Sequence, residues 1–191
     1  MKFKPNIYSI GFISSVLFSY SAFASTHSLK GEYKVVYGGV KTMEVSNPLA
    51  NEAPEQLGRY SVWLVKADWD SLSSEEKVKT KYLVKMQGTL RGQVNPLDFT
   101  ARHTMVGDSR SYIIRSEGDV LFPISGDPFC STGEPMQVRE QVNLVSGSGT
   151  YANLTSGSIM LEGIINNCPH LEDFGKNDFK VIPSQSSIVF E

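Results

Sequence analysis

Apolar and polar residues alternate with a period of two in run after run of this chain, and this pattern constrains the fold more than any other feature. Strict alternation places every second side chain on the same face of a strand, so each run predicts a strand with one apolar and one polar face. Strands of this kind form antiparallel sheets with one face in water. The clearest runs are residues 81–91, 99–105, 111–115, 136–144 and 158–165.

Weaker patterns bring the number of predicted strands to eight to ten, separated by turn residues such as Gly38-Gly39 and Asn95-Pro96. An antiparallel sheet of that length curls shut or folds into two layers, and closure removes the edges that invite aggregation. The sequence therefore predicts an all-β protein with a single antiparallel β-barrel of about eight strands; a two-sheet β-sandwich is the alternative. The weaker strands are residues 32–37, 40–45, 60–66, 179–182 and 188–190.

One short helix and two loops complete the predicted organisation. Ser73 and Glu76 have the spacing of a capping box within residues 71–79, where the lack of a long apolar stripe limits the helix to one or two turns. Residues 47–59 and 122–133 are rich in proline and polar residues and are predicted to be loops.

The first 24 residues have the features of a secretory signal peptide. Lys2 and Lys4 precede a short apolar stretch, and Ala22-Phe23-Ala24 then supplies small residues around a large one. We expect cleavage after Ala24, which leaves residues 25–191 as one β-barrel domain with no membrane span; a buried N-terminal strand or helix is the alternative. Export implies a periplasmic or extracellular location.

Cys130 and Cys168 are the only cysteines, and both lie in the part that would be exported. In an oxidising compartment an even pair favours one disulfide, here across a separation of 38 residues. Closing so long a loop stabilises a fold by about 3–4 kcal/mol in the chain-entropy model. A reactive thiol is the alternative.

Composition and charge exclude several classes of protein. A chain with 40% hydrophobic residues is too apolar to be disordered. Loss of two lysines with the signal lowers Lys+Arg from 18 to 16 against 20 Asp+Glu, and a net charge of −4 predicts no nucleic-acid partner. Two cysteines are too few for a four-cysteine zinc site or a disulfide-dense miniature scaffold.

The segment from Gly147 to Ala152 has the form G-x-G-x-x-A and follows a predicted strand, as a dinucleotide fingerprint does. Such a fingerprint needs a following helix whose N-terminus holds the pyrophosphate. Here Gly157 and its polar neighbours break any helix, and residues 159–165 alternate like a strand. The glycines are typical of turns and bulges instead, and no cofactor is predicted.

The same glycine-rich segment, residues 146–163, resembles the closing hairpin of the allene-oxide-cyclase and dirigent-like barrels. The recurring sequence pattern of these barrels is a strand, then G-x-G, an aromatic residue, a small residue, a glycine, and a strand that ends in glycine. The resemblance implies a closed eight-stranded barrel with an apolar lumen. The family includes a cyclase that acts on an unsaturated fatty-acid epoxide and proteins that steer phenoxy-radical coupling. We do not place the cyclase's catalytic residues on this chain, so its activity is not carried over. The matching positions are Gly147, Gly149, Tyr151, Ala152, Gly157 and Gly163.

Two polar residues, His103 and Glu140, fall on the predicted apolar faces of their strands. Charge inside a barrel is costly unless it is paired or hydrogen-bonded. Burial would raise the pKa of Glu140, and a neighbouring imidazole would oppose that shift. The two could be an acid–base pair, anchors for a polar ligand head, or a purely structural pair, and a register slip would place either outside. Tyr82 and Tyr112, on apolar faces of other strands, are further candidates for ligand binding.

His170, Glu172 and Asp173 lie close together in the sequence, but their spacing matches no strong metal-binding motif. We predict a solvated loop there and no metal site. No Gly-x-Ser-x-Gly elbow is present, so a Ser-His-Asp hydrolase has no support from the sequence.

These observations favour an exported barrel that binds a small apolar ligand without catalysis, through His103, Glu140, Tyr82 and Tyr112. The first alternative is an interaction scaffold with a filled core and partner-binding loops. The second is an isomerase or cyclase that acts on a lipid-like substrate through Glu140 and His103.

Overall fold

The computed structural model describes residues 29–46, 53–95 and 97–191, so the predicted signal peptide lies outside the described residues. Strands account for most of the secondary structure, and one short helix carries the predicted capping box between Ser73 and Glu76. The strands are β1 (Gly31–Glu44), β2 (Glu55–Lys66), β3 (Leu83–Asn95), β4 (Thr100–Gly107), β5 (Ile113–Ser116), β6 (Asp119–Ser125), β7 (Met136–Gly147), β8 (Leu154–Ile165), β9 (Lys176–Val181) and β10 (Ser187–Phe190), and the helix is α1 (Ser74–Lys79).

The strands close into an eight-stranded antiparallel barrel, which confirms the predicted fold class. Neighbouring strands pair in the order β1, β2, β3 and β4, then through β5 or β6 to β7 and β8, and through β9 or β10 back to β1. The pairs within this ring are all antiparallel among the described residues. Closure leaves no free edge in the ring for another chain to extend.

Two positions of the ring are each filled by two short strands in succession, which is why ten strands form an eight-stranded barrel. β5 pairs with residues 104–106 of β4, and β6 pairs with residues 100 and 101 of the same strand. β10 and β9 likewise pair with the first and second halves of β1. Each pair of short strands is therefore one interrupted strand of the barrel.

The lumen has an aromatic end and a polar end, with aliphatic side chains between them. Tyr112 and Tyr151 pack edge to face with ring centroids 4.4 Å apart, and Tyr151 also contacts Phe190. At the other end, the Thr42 hydroxyl donates to Gln56 over 3.1 Å and accepts from the Asn177 amide over 3.2 Å. The polar end is therefore built from buried side chains that satisfy one another.

The predicted disulfide is confirmed and lies beside this polar end. It joins Cys130, in the connection between β6 and β7, to Cys168, in the connection between β8 and β9. The Asn167 amide donates to the carbonyl of Pro128 over 3.1 Å, which ties the two connections together a second time. No helix among the described residues is long and apolar enough to cross a membrane.

Both loop predictions need correction. The sequence predicts a loop over residues 122–133, but β6 extends to Ser125 and pairs with β7. Pro123 has no N–H to donate to a ladder, which is why the sequence pattern does not indicate a strand there. The predicted loop 47–59 is also too long, because β2 begins at Glu55. Residues 47–52 lie outside the described part of the chain.

Gly38 and Gly39 do not form the predicted turn, because β1 runs straight through them. A Cβ atom on Gly39 would lie 2.5 Å from the carbonyl oxygen of Phe179 in β9. Glycine at this position therefore permits a close approach of two strands, and the two predicted strands of this region are one.

Candidate functional site

The interruption between β5 and β6 positions a buried polar cluster at the polar end of the lumen. Gly118, with φ of +64°, adopts the left-handed conformation that glycine tolerates best and separates Ser116 from Asp119. Both flanking residues are buried. The backbone N–H of His103 in β4 has no strand partner there and donates instead to the Ser116 hydroxyl over 2.9 Å. The break in the ladder thus brings three polar side chains together.

A glycine on the adjacent strand makes room for the His103 imidazole. Gly92 lies opposite His103 in the β3–β4 register. A Cβ atom at Gly92 would be 2.9 Å from Cδ2 of the ring, too close for a real contact, and 3.0 Å from Nε2, which is also unusually tight. The ring therefore packs directly over the β3 backbone.

Asp119 is fully buried and is the hydrogen-bond centre of the cluster. Its Oδ2 accepts from His103 Nδ1 over 2.7 Å and also from the Ser116 hydroxyl, and its Oδ1 accepts from the backbone N–H of Asn143 over 2.7 Å. With Asp119 as the acceptor of this hydrogen bond, Nδ1 of His103 is the donor and carries a proton. This contact fixes the ring and turns Nε2 towards β7.

Glu140 of β7 faces that second nitrogen. Its Oε1 lies 3.6 Å from Nε2 of His103, beyond hydrogen-bond distance, and its side chain is only 7% exposed. No group of the described residues donates a hydrogen bond to the Glu140 carboxylate. The cluster therefore combines one fully satisfied carboxylate, Asp119, with one buried carboxylate that lacks a donor.

Burial and charge shift the pKa of both residues that face the lumen. Burial raises the pKa of Glu140 above its ordinary value; the charge of His103 opposes this shift and that of Asp119 adds to it. Burial alone would lower the pKa of His103, but the charge of Glu140, the hydrogen bond to Asp119 and the charge of Asp119 together hold it above its ordinary value. The cluster therefore favours a charged imidazole and resists a second ionised carboxylate.

The cluster borders a cavity of about 40 Å³ inside the barrel. Glu140 and His103 form part of its wall, and Met86, Leu90 and Phe179 are among the mainly apolar remainder. Sites for drug-sized ligands have volumes of about 300–1,000 Å³. The lumen is therefore largely filled by its own side chains, with space for only a few heavy atoms beside Glu140.

His103, Asp119 and Glu140 each offer one atom that could ligate a metal, all within 4.8 Å of one another. Asp119, however, already accepts a hydrogen bond from Nδ1 of His103. In metal sites this role belongs to a residue that orients a histidine ligand without touching the metal. Direct ligation would then come from His103 Nε2 and Glu140 alone, whereas catalytic zinc ions have three protein ligands. The arrangement is better suited to holding and moving a proton than to holding a metal.

The structure brings together two of the four predicted ligand-binding residues, His103 and Glu140. The prediction that Tyr82 lies on an apolar face in the lumen needs correction. Tyr82 precedes β3, is 48% exposed and packs on Trp69 outside the lumen, with ring centroids 5.0 Å apart. Tyr112 is buried, but its hydroxyl is bonded to Tyr60 over 2.9 Å and to the Gln87 backbone, and it does not line the cavity.

The sequence prediction missed Ser116 and Asp119, which complete the cluster. One signal was present: the alternation of Tyr112 and Ile114 continues in phase to Ser116 and places it inside. His170, Glu172 and Asp173, which the sequence predicts in a solvated loop, are all exposed.

The two raised pKa values predict that stability falls as pH rises. A group that binds its proton more tightly when folded contributes stability that is present below its unfolded pKa and lost as pH passes its folded pKa. For Glu140 and His103 this loss begins above the ordinary values of 4.5 and 6.5. We expect the free energy of unfolding, measured in urea from about pH 5 to 8, to fall in the native protein and to fall less in Glu140→Gln.

The control for this prediction is Glu162→Gln, on the outer face of β8, where the carboxylate pairs with Arg139 and is half exposed. Its pH dependence should match that of the native protein. Carboxylates whose pKa values are lowered, such as Asp127, lose their contribution only at more acidic pH and do not affect this range. Equal slopes for Glu140→Gln and the native protein would contradict the assignment.

Comparisons with protein-family models, with curated proteins and with solved structures found no match for this chain.

Proposed function

We propose that this protein is an exported β-barrel that binds a small molecule at the polar end of its lumen without transforming it. The observation that carries the proposal is Glu140: its carboxylate is buried, borders the lumen cavity and receives no hydrogen bond from the described residues. The imidazole of His103, with Nε2 3.6 Å from Oε1, compensates this carboxylate only in part, so its burial carries a free-energy cost. A bound molecule that donates a hydrogen bond to Glu140 would remove that cost.

The lining of the cavity defines the chemistry of the ligand. Apart from Glu140 and His103, the cavity contacts mainly aliphatic and aromatic side chains, among them Leu90, Met105 and Phe179. A ligand therefore needs an apolar body and one donor group, such as an amine or a hydroxyl, directed at Glu140. The volume of about 40 Å³ limits it to a few heavy atoms.

Export is supported by the disulfide between Cys130 and Cys168, since such bonds persist in oxidising compartments. The signal-peptide pattern of residues 1–24 points the same way. The resemblance of residues 146–163 to the allene-oxide-cyclase and dirigent-like hairpin supports the lumen as the binding site, because that resemblance implies an apolar lumen.

Native mass spectrometry of the exported protein tests the proposal. We expect the native protein and Glu162→Gln to retain a small extra mass, and Glu140→Gln to lose it while its melting temperature stays within a few degrees of the native value. Purified protein can also be titrated with isobutylamine, whose four carbons and one donor group match the site. Absence of an extra mass, together with no Glu140-dependent stabilisation by the amine, would overturn the proposal.

The small volume of the cavity favours a second candidate, an interaction scaffold. A barrel filled by its own side chains presents only its surface and loops to a partner. The connections of residues 126–135 and 166–175, which the disulfide and the hydrogen bond from Asn167 to Pro128 hold together, are candidates for this surface. The hydrogen bond between Asp119 and His103 has a geometry suited to proton transfer, as an isomerase would need. The cavity, however, lacks the volume for a lipid-like substrate.

A further inference from the structure

A second cavity, of about 250 Å³, lies against the outer face of β3, β4 and β5. Three arginines, Arg91, Arg102 and Arg115, line it. The register explains their proximity: Arg91 is opposite Thr104, and Thr104 is opposite Arg115, so one row crosses three strands. Arg102 lies two residues from Thr104 on the same face of β4, since side chains alternate along a strand.

The guanidinium groups differ in how far they are already engaged. Arg91 forms two hydrogen bonds with Glu55, of 2.9 Å and 2.7 Å. Arg102 donates from Nε to the neutral amide of Gln93 over 2.9 Å, which leaves its charge uncompensated. Among the described residues, Arg115 has no hydrogen-bond or ion-pair partner for its side chain. Two adjacent positive charges thus border the cavity without a carboxylate bound to either.

The barrel wall has a gap in its strand pairing where this cavity lies. Arg102 and His103 have no strand partner in β5 or β6, because β5 pairs up to Thr104 and β6 begins at Ala101. The outer cavity therefore reaches Ser116 and His103, and His103 also lines the cavity in the lumen. This makes a recess between strands rather than a flat charged surface.

We propose that this recess binds the oxyanion group of a small molecule, a carboxylate or a phosphate, through Arg102 and Arg115. A guanidinium presents a planar fork of donors that matches both groups. The volume of the recess fits one such group with a short organic substituent. Arg91 adds little to the positive charge, because the Glu55 carboxylate already pairs with it. This site opens on the outer face of the barrel and shares His103 with the lumen cavity, but it does not depend on the function proposed above.

Glu117 is the one acidic side chain in the lining of the recess, and it provides a test with the opposite sign. Its carboxylate repels a bound anion, so Glu117→Gln should strengthen binding, whereas Arg115→Gln and Arg102→Gln should weaken it. Exposed charge interactions change affinity by about threefold each. Arg139→Gln, an exposed arginine on β7 that pairs with Glu162, is the matched control.

The experiment is a titration of the whole exported protein with inorganic phosphate and, separately, with succinate, at ionic strength held constant with sodium chloride. Binding is measured by calorimetry and by amide chemical shifts of residues 102–104 and 115–117. We expect saturation with at least one probe, weaker binding in Arg115→Gln and Arg102→Gln, tighter binding in Glu117→Gln, and no change in Arg139→Gln. The probe that binds more tightly assigns the oxyanion.

Two results would overturn the proposal: no saturable response to either probe, or affinities that are the same in Arg115→Gln, Glu117→Gln and the native protein. The variants change exposed side chains, so loss of folding is not expected to obscure the comparison. The lumen site is tested separately, by the retained mass and the response to isobutylamine, which keeps a failure here distinct from a failure of the lumen site.

Discussion

Replacement of Asp119 by asparagine is expected to lower the free energy of unfolding by about 3–5 kcal/mol, the cost of removing one partner from a buried ion pair. Asp119 is fully buried and accepts hydrogen bonds from His103, Ser116 and the backbone of Asn143. An amide keeps the shape but loses the charge that stabilises the imidazolium. Urea unfolding near pH 6, followed by circular dichroism and tryptophan fluorescence, measures the change.

Asp178→Asn is the control, because its carboxylate pairs with Lys41 over 3.0 Å on the surface and is half exposed. Such a pair contributes about 0–1 kcal/mol. The effect of Asp119→Asn should also shrink in a His103→Gln background, since the two residues interact directly. A loss below about 1 kcal/mol in the native background would show that Asp119 does not anchor the cluster.

The inward positions of His103 and Glu140 could be predicted from the sequence, and the reason is the strictness of the barrel register. Each residue lies in a run that alternates without interruption, and strands β4 and β7 keep that phase in the barrel. A side chain in phase with buried neighbours must point into the lumen, whatever its polarity. Alternation therefore located half of the cluster.

Asp119 could not be predicted in the same way, because it follows a break in the alternation. Glu117 and Gly118 shift the chain between β5 and β6, and the shift decides which face Asp119 occupies. Period-two patterns carry no information across such an irregularity. The contact between Asp119 and His103 joins residues 16 positions apart through strand pairing, and it emerges only once the barrel is closed.

Tyr82 shows the opposite error, in which a pattern was extended too far. It is in phase with the buried residues of β3 but precedes the strand, and β3 begins at Leu83. Beyond a strand end the alternation no longer determines the direction of a side chain. The Tyr82 ring instead packs on Trp69 in the connection between β2 and β3.

The disulfide between Cys130 and Cys168 is expected to contribute about 3–4 kcal/mol to stability, because it closes a long loop in the unfolded chain. The two cysteines are 38 residues apart, and Cys168 is fully buried. Without the disulfide, the two connections would still be joined by the hydrogen bond from Asn167 to Pro128, the only hydrogen bond between them among the described residues. Urea unfolding of Cys130→Ala/Cys168→Ala and of the thiol-reduced native protein measures the contribution by two routes.

The two routes separate loop closure from side-chain packing. Reduction removes the crosslink and keeps both sulfur atoms, whereas the double alanine variant also leaves a small cavity at Cys168. If loop closure dominates, both forms should lose a similar free energy, with the variant slightly less stable. Asn167→Ala in the oxidised protein should cost only about 1 kcal/mol, the value of one partly buried hydrogen bond. A reduced protein as stable as the oxidised one would contradict the prediction, because loop closure would then contribute nothing.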